Sequence, residues 1–156
     1  MKKVWVVVAC LLLALMGCNE SPKAPSIDPN PDHPSGLDSA LEAVKTPLSH
    51  LEQAFEDRTS DIQVLVRGLV IRLLADDTVG DRHQRFILQL ENDQTLLIAH
   101  NIDIAERVPA GALNQTIYVN GEYVWNDQGG LVHWTHIDPA GSHADGWIYY
   151  QGKKYQ

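Results

Sequence analysis

The sequence predicts a mainly β domain: a small closed barrel preceded by a short helical segment. Three observations predict it. From Asp61 onward the chain reads as short β-branched and aromatic runs separated by turn residues. A glycine, Gly68, interrupts the longest of these runs, as expected where one strand bends to serve two parts of a curled sheet. The order of the runs is three strands, a short helix and two strands, which matches the five-stranded Greek-key barrel known as the OB-fold.

The elements follow in chain order. Lys2 and Lys3, an apolar run from Val4 to Leu15 and a small residue before Cys18 make the three parts of an export signal. The run is short for a membrane span. Leu15-Met16-Gly17-Cys18 resembles the bacterial lipobox, which implies cleavage after residue 17 and lipid on Cys18. Cys10 then leaves with the signal, so the mature chain keeps no thiol for a disulfide, a thiolate metal site or a nucleophile. Asn19 resembles the sorting position of outer-membrane lipoproteins, and the expected location is the cell envelope, at the outer membrane and facing the periplasm. Residues 18–36 hold five prolines and almost no apolar side chains, a composition that reads as a disordered tether.

Residues 37–58 carry Leu41, Val44, Leu48, Leu51 and Phe55 at helical spacing, with Asp38 or Ser39 as candidate N-caps. Pro47 interrupts the pattern. With Thr46 as cap and Pro47 at the first helical position, it predicts two short helices or one kinked one. The barrel domain is then 59–156, with strands over 62–74, 83–91, 95–100, 118–125 and 131–135 and a candidate edge strand at 147–150. One or two helical turns are expected over 102–108.

Four blocks, RHQRFILQL (82–90), LLIAHNID (96–103), GEYVWN (121–126) and HWTHIDPAGSHADGW (133–147), resemble the signature of an uncharacterised bacterial family of domains of unknown function. The resemblance covers roughly the last hundred residues and implies an exported small β domain. It transfers no activity.

Charge narrows the partners. Removal of Lys2 and Lys3 leaves ten basic against twenty acidic residues. A barrel that grips nucleic acid nonspecifically needs a basic groove to neutralise phosphates, so this composition argues against that partner. Membrane contact through the lipid and a small ligand or envelope component remain. No serine sits in a nucleophile elbow, and no glycine-rich phosphate loop is present.

Five of the seven histidines fall in the barrel domain, each where a strand ends or a loop begins. His83 opens the second strand and His100 closes the third, so an antiparallel pairing puts both at one end. The expectation is a single cluster of His83, His100, His133, His136 and His143 at that end of the barrel. His133, His136 and His143 are the candidate ligands of a divalent metal, since imidazole suits zinc, copper or nickel. Along a strand His133 and His136 point opposite ways, so joint ligation needs a turn after Trp134. The alternative is a hydrogen-bonded polar loop. The candidate ligand-binding set is His83, Arg85, His100, Asn101, Trp134 and Trp147, and the candidate catalytic set is His83, Arg85, His100 and Asp103. Asn101 and Asp103 read equally as a turn former and a helix cap. Arg85 either faces a groove or pairs with Glu91 or Asp81. The tryptophans either stack on a ligand or pack under the barrel.

Two function classes follow. One is a lipid-anchored, periplasm-facing binding or interaction module with a histidine- and aromatic-rich site. The other is a hydrolase of phosphodiesterase or nuclease type, with a histidine base, Arg85 as anion clamp and a metal on the loop histidines.

Overall fold

The computed structural model describes residues 35–156. The signal segment, Cys18 and almost all of the tether lie outside the described residues. Two helices, α1 (Ser35–Val44) and α2 (Leu48–Glu56), precede seven strands: β1 (Ile62–Leu73), β2 (His83–Gln89), β3 (Thr95–Asn101), β4 (Thr116–Val124), β5 (Leu131–His133), β6 (Trp147–Tyr150) and β7 (Lys153–Tyr155). Strand order β1-β2-β3-β5-β4, with β4 paired back to β1, closes a five-stranded barrel of the OB type. All pairings are antiparallel except β3 with β5, where Leu97 lies opposite Leu131 and Ile98 opposite Val132. The β6–β7 hairpin extends β4, with Trp147 opposite Asn120.

Closure depends on β1 serving two neighbours. Ile62 to Leu69 pair with β4, and Leu69 to Leu73 pair with β2. At the changeover a side chain on Gly68 would stand 2.6 Å from the Gln89 carbonyl oxygen, so glycine lets the two strands cross closely. The register slip falls slightly later than Gly68, between Val70 and Arg72.

Alternation fills the barrel. Val64, Val66, Val70, Phe86, Leu88, Leu96, Ile98, Ile117, Val119, Tyr123 and Val132 are buried in one core with Leu51 and Ala54 of α2. Helix α2 is fixed there by Trp125, whose indole N–H donates to the Phe55 carbonyl at 3.0 Å. Leu41 of α1 packs separately, against Tyr118 and Tyr149 on the outside of β4 and β6.

Several expectations need correction. Two helices form on either side of Pro47, but Thr46 does not cap the second. Its hydroxyl accepts from the Leu65 N–H at 3.0 Å, pinning the interhelix link to β1 instead. Residues 102–108 hold no helix. The Asn101 side chain accepts from the Asp103 N–H at 2.9 Å, which shapes a turn, and the one short helical turn comes later, at 110–112. Strand β5 is only three residues long, because Trp134 leaves the extended region at φ 49°. The last strand, β7, had no distinct sequence signal.

Candidate functional site

The histidine end begins where β2 and β3 meet. Pairing puts His83 opposite Asn101 and Gln84 opposite His100, so His83 and His100 share one end of the sheet. They face different ways. His83 is on the outer side of β2, with Nδ1–H donating to the Asp81 carbonyl at 2.8 Å. His100 points inward and has no exposed surface. Its Nε2 lies 3.0 Å from the Glu106 carbonyl and its Nδ1 2.8 Å from the Thr135 hydroxyl. A carbonyl only accepts, so the proton belongs on Nε2 and Nδ1 accepts from Thr135. Burial pushes the His100 pKa down to about 4, with the nearby His136 and His83 acting in the same direction and the backbone hydrogen bonds opposing them. His100 is therefore neutral at physiological pH, with both nitrogens committed. It ties β3, the 106 loop and the 135 loop together. Gln84 reinforces this junction by exchanging two hydrogen bonds with the Val108 backbone, at 2.8 and 2.9 Å.

The turn at Trp134 sets the second half of the site. The indole is sandwiched, with the His133 ring stacked at 4.8 Å and the His143 ring stacked at 4.3 Å. His136 meets this stack edge-on, 5.0 Å from His143. The three candidate metal ligands are thus neighbours that do not converge, because the tryptophan separates His133 from His143. His133 is also engaged, its Nε2 lying 3.2 Å from Glu122 across the β4–β5 pair. Among the described residues no three His, Cys, Asp or Glu side chains are grouped to hold a metal ion.

Asp138 organises the loop. Its carboxylate accepts from the N–H of Ala140 at 2.9 Å, the hydroxyl of Ser142 at 2.7 Å, the N–H of His143 at 3.0 Å and the N–H of Ser142. These donors, the Ser142 hydroxyl foremost, hold its pKa well below the usual carboxylate range. With its lone pairs used in this way, Asp138 is the scaffold of residues 138–143. Asn at this position keeps a single acceptor oxygen, so Asp138→Asn is expected to expose the Ser142 and His143 amides to fast hydrogen exchange while the barrel amides stay protected. Unchanged protection at both would show that the carboxylate does not hold the loop.

Inside this frame His136 is 3% exposed. Its Nδ1–H donates to the Ile137 carbonyl at 2.8 Å, leaving the lone pair on Nε2, a buried atom with no hydrogen-bond partner. His143 is set the same way, with Nδ1–H on the Ala144 carbonyl at 2.8 Å and Nε2 3.8 Å from Asp138.

The remaining candidates sit elsewhere or serve locally. Arg85 pairs with neither Glu91 nor Asp81; its Nε–H donates to the Ala75 carbonyl at 3.0 Å, while Glu91 is taken by Arg67 and Lys45. Asp103 does not cap a helix, since its carboxylate takes the Arg82 backbone N–H and guanidinium, both at 2.7 Å. No tryptophan of the three offers an uncovered pair of faces to a ligand. Trp134 is stacked on both sides, Trp147 has the Lys154 ammonium 4.3 Å from its ring centre, and Trp125 has Phe55 and Arg58 against it. Sequence reasoning passed over Thr135, Glu122 and Gln84. The signal for Glu122 was present in its place directly across the hairpin from His133.

A closed OB-like barrel bearing a histidine-rich loop after its fifth strand defines the class of protein. The chain belongs to the family described as protein of unknown function (DUF3465), whose model matches residues 37–156. No curated protein matches it.

Proposed function

We propose that the protein is a lipid-anchored, periplasm-facing binding module that takes a small ligand or an envelope component at the histidine end of its barrel. The observation that carries this reading is the bare Nε2 of His136. A buried acceptor without a partner costs about 1–3 kcal/mol, and a ligand hydroxyl or N–H reaching it removes that penalty. Its neighbours are already fixed by their own hydrogen bonds and ring stacking, so little ordering opposes binding. Binding is favoured over hydrolysis because the most buried histidine, His100, has no free nitrogen for proton transfer, and Arg85 is held on a backbone carbonyl. The anchor rests on the Leu15–Cys18 block and the proline-rich stretch after it. No helix among the described residues is long and apolar enough to cross a membrane.

The test follows the imidazole nitrogens by NMR while small-molecule fractions of a bacterial envelope extract are added. One fraction is expected to shift His136 and His143 and leave the exposed His50 alone. If none moves them, the binding reading fails. Cys18→Ser tests the anchor separately: the protein should leave the membrane fraction, and undiminished membrane association would overturn the lipid assignment.

A further inference from the structure

The outer face of β1, β2 and β3 carries a second feature, unrelated to the histidine loop. The register slip in β1 leaves Ile71 without a cross-strand partner and turns Ile71 and Arg72 outward in succession. Ile71 is 39% exposed. On the same face Ile87 of β2 stands directly opposite Leu97 of β3. The turn at 126–130 rises beside them. It is held to β3 by the Leu97 N–H, which donates to the Gly130 carbonyl at 3.0 Å, and it is braced internally by the Asn126 side chain, which accepts from the N–H of Gln128 and Gly130. The result is a cleft of about 420 Å³ with Ile71, Ile87 and Leu97 as floor and Arg72, Thr95 and Gln128 among its rim. That size and that mixture of apolar floor and few polar groups are those of a small-molecule site.

Charge says what fits. No acidic side chain lines this cleft, and Arg72 has no ion pair among the described residues. On the other side of the same turn, a cleft beside α2 is lined by Glu52, Glu56, Asp93 and Asp127. In a chain of net charge −8, one face of the turn thus gathers carboxylates while the other keeps a single unpaired guanidinium over an apolar floor. We propose that the β1–β2–β3 cleft binds a small molecule with an apolar body and one anionic group, a carboxylate, sulfonate or phosphate, which Arg72 receives. The guanidinium fork suits all three, and the floor supplies the desolvated contact that makes the charge contact count.

The test uses two dyes on the detergent-free Cys18→Ser chain: 1-anilinonaphthalene-8-sulfonate, and N-phenyl-1-naphthylamine, which has the same rings without the sulfonate. The anionic dye is expected to bind one to one and more tightly than the neutral one. Arg72→Gln should weaken the anionic dye about fivefold to tenfold, discounted for the exposure of the arginine, and leave the neutral dye unchanged. Ile87→Asp should abolish binding of both dyes while the protein still unfolds in one cooperative transition, and His50→Gln, exposed on α2 and outside the cleft, should alter neither. The proposal is overturned if the neutral dye binds as tightly as the anionic one, if Arg72→Gln leaves the anionic dye unaffected, or if both dyes still bind the Ile87→Asp protein.

Discussion

Alanine at Gly146 is expected to cost about 3 kcal/mol and to release the histidine loop from the barrel. Gly146 is where the returning chain passes under that loop: its N–H donates to the His136 carbonyl at 2.8 Å. A Cβ there would overlap the Trp134 carbonyl oxygen and come within 2.7 Å of the Asn120 carbonyl oxygen and 2.8 Å of the Thr135 Cα. All three neighbours are backbone atoms, so no flexible side chain can swing aside. Either β6 lifts away from β4, or the Trp134–Thr135 segment moves and breaks the Thr135–His100 hydrogen bond. Overpacking of this kind costs about 1–3 kcal/mol, and the rigid surroundings place this position at the upper end. Gly141 is the control. It has φ +68° and nothing within 4 Å of where a Cβ would stand, so alanine there should cost only the left-handed backbone penalty of about 1 kcal/mol. Urea denaturation reads both. Equal midpoints for the two variants would show that the close passage at Gly146 is not what seats the loop.

That contact was invisible in the sequence for a physical reason. Gly146 reads as one more loop glycine, and its demand for space arises only when residue 120 of one strand and residues 134–135 after another are brought against it. The barrel itself was legible because it is written in local pattern: alternation set the inward faces of β2 and β3, and Gly68 marked the strand that serves two neighbours. Chain-order pairing also placed His83 and His100 at one end. Side-chain partners are less accessible to such reasoning. His133, His136 and His143 read as candidate ligands by residue type and by clustering at the end of one strand, with their spacing against it, and the left-handed turn at Trp134 inserts an indole between two of them. The helix expected over 102–108 failed because Asn101 and Asp103 spend their side chains on a turn and on Arg82, leaving no cap to start one. The cleft beside Arg72 depends on a one-residue slip in register, and nothing in the composition of β1 fixes where that slip falls.

His100 should make the fold lose stability as the pH falls from about 6.5 to about 4. In the unfolded chain its imidazole titrates near the ordinary value of 6.5, whereas burial holds it down to about 4 in the fold. Between those values the unfolded chain carries a proton that the folded one does not, so stability rises with pH across this window and is flat above it as far as His100 is concerned. A difference of this size corresponds to about 3 kcal/mol, all of it lost once the pH is below both values. The titratable groups that act on His100 are His136 and His83, and both push its pKa in the same direction as burial. The depressed carboxylates Asp138, Asp103, Asp76 and Glu42 contribute stability that is present above their ordinary values of 3.8 to 4.5 and is lost below them, so the interval from about 4.5 to 6.5 is free of their main effect. His100→Gln separates the titration from the packing. Glutamine cannot ionise, and it leaves either the Glu106 carbonyl or the Thr135 hydroxyl without its partner, so the variant should be about 2 kcal/mol less stable at pH 7.5. Its unfolding free energy, measured in urea at half-unit steps, should then change little between pH 6.5 and 4.5 while the parent protein falls steeply. If the variant keeps the parent's slope, the proton taken up on unfolding belongs to another group, and His100 is not the residue that makes this barrel acid-sensitive.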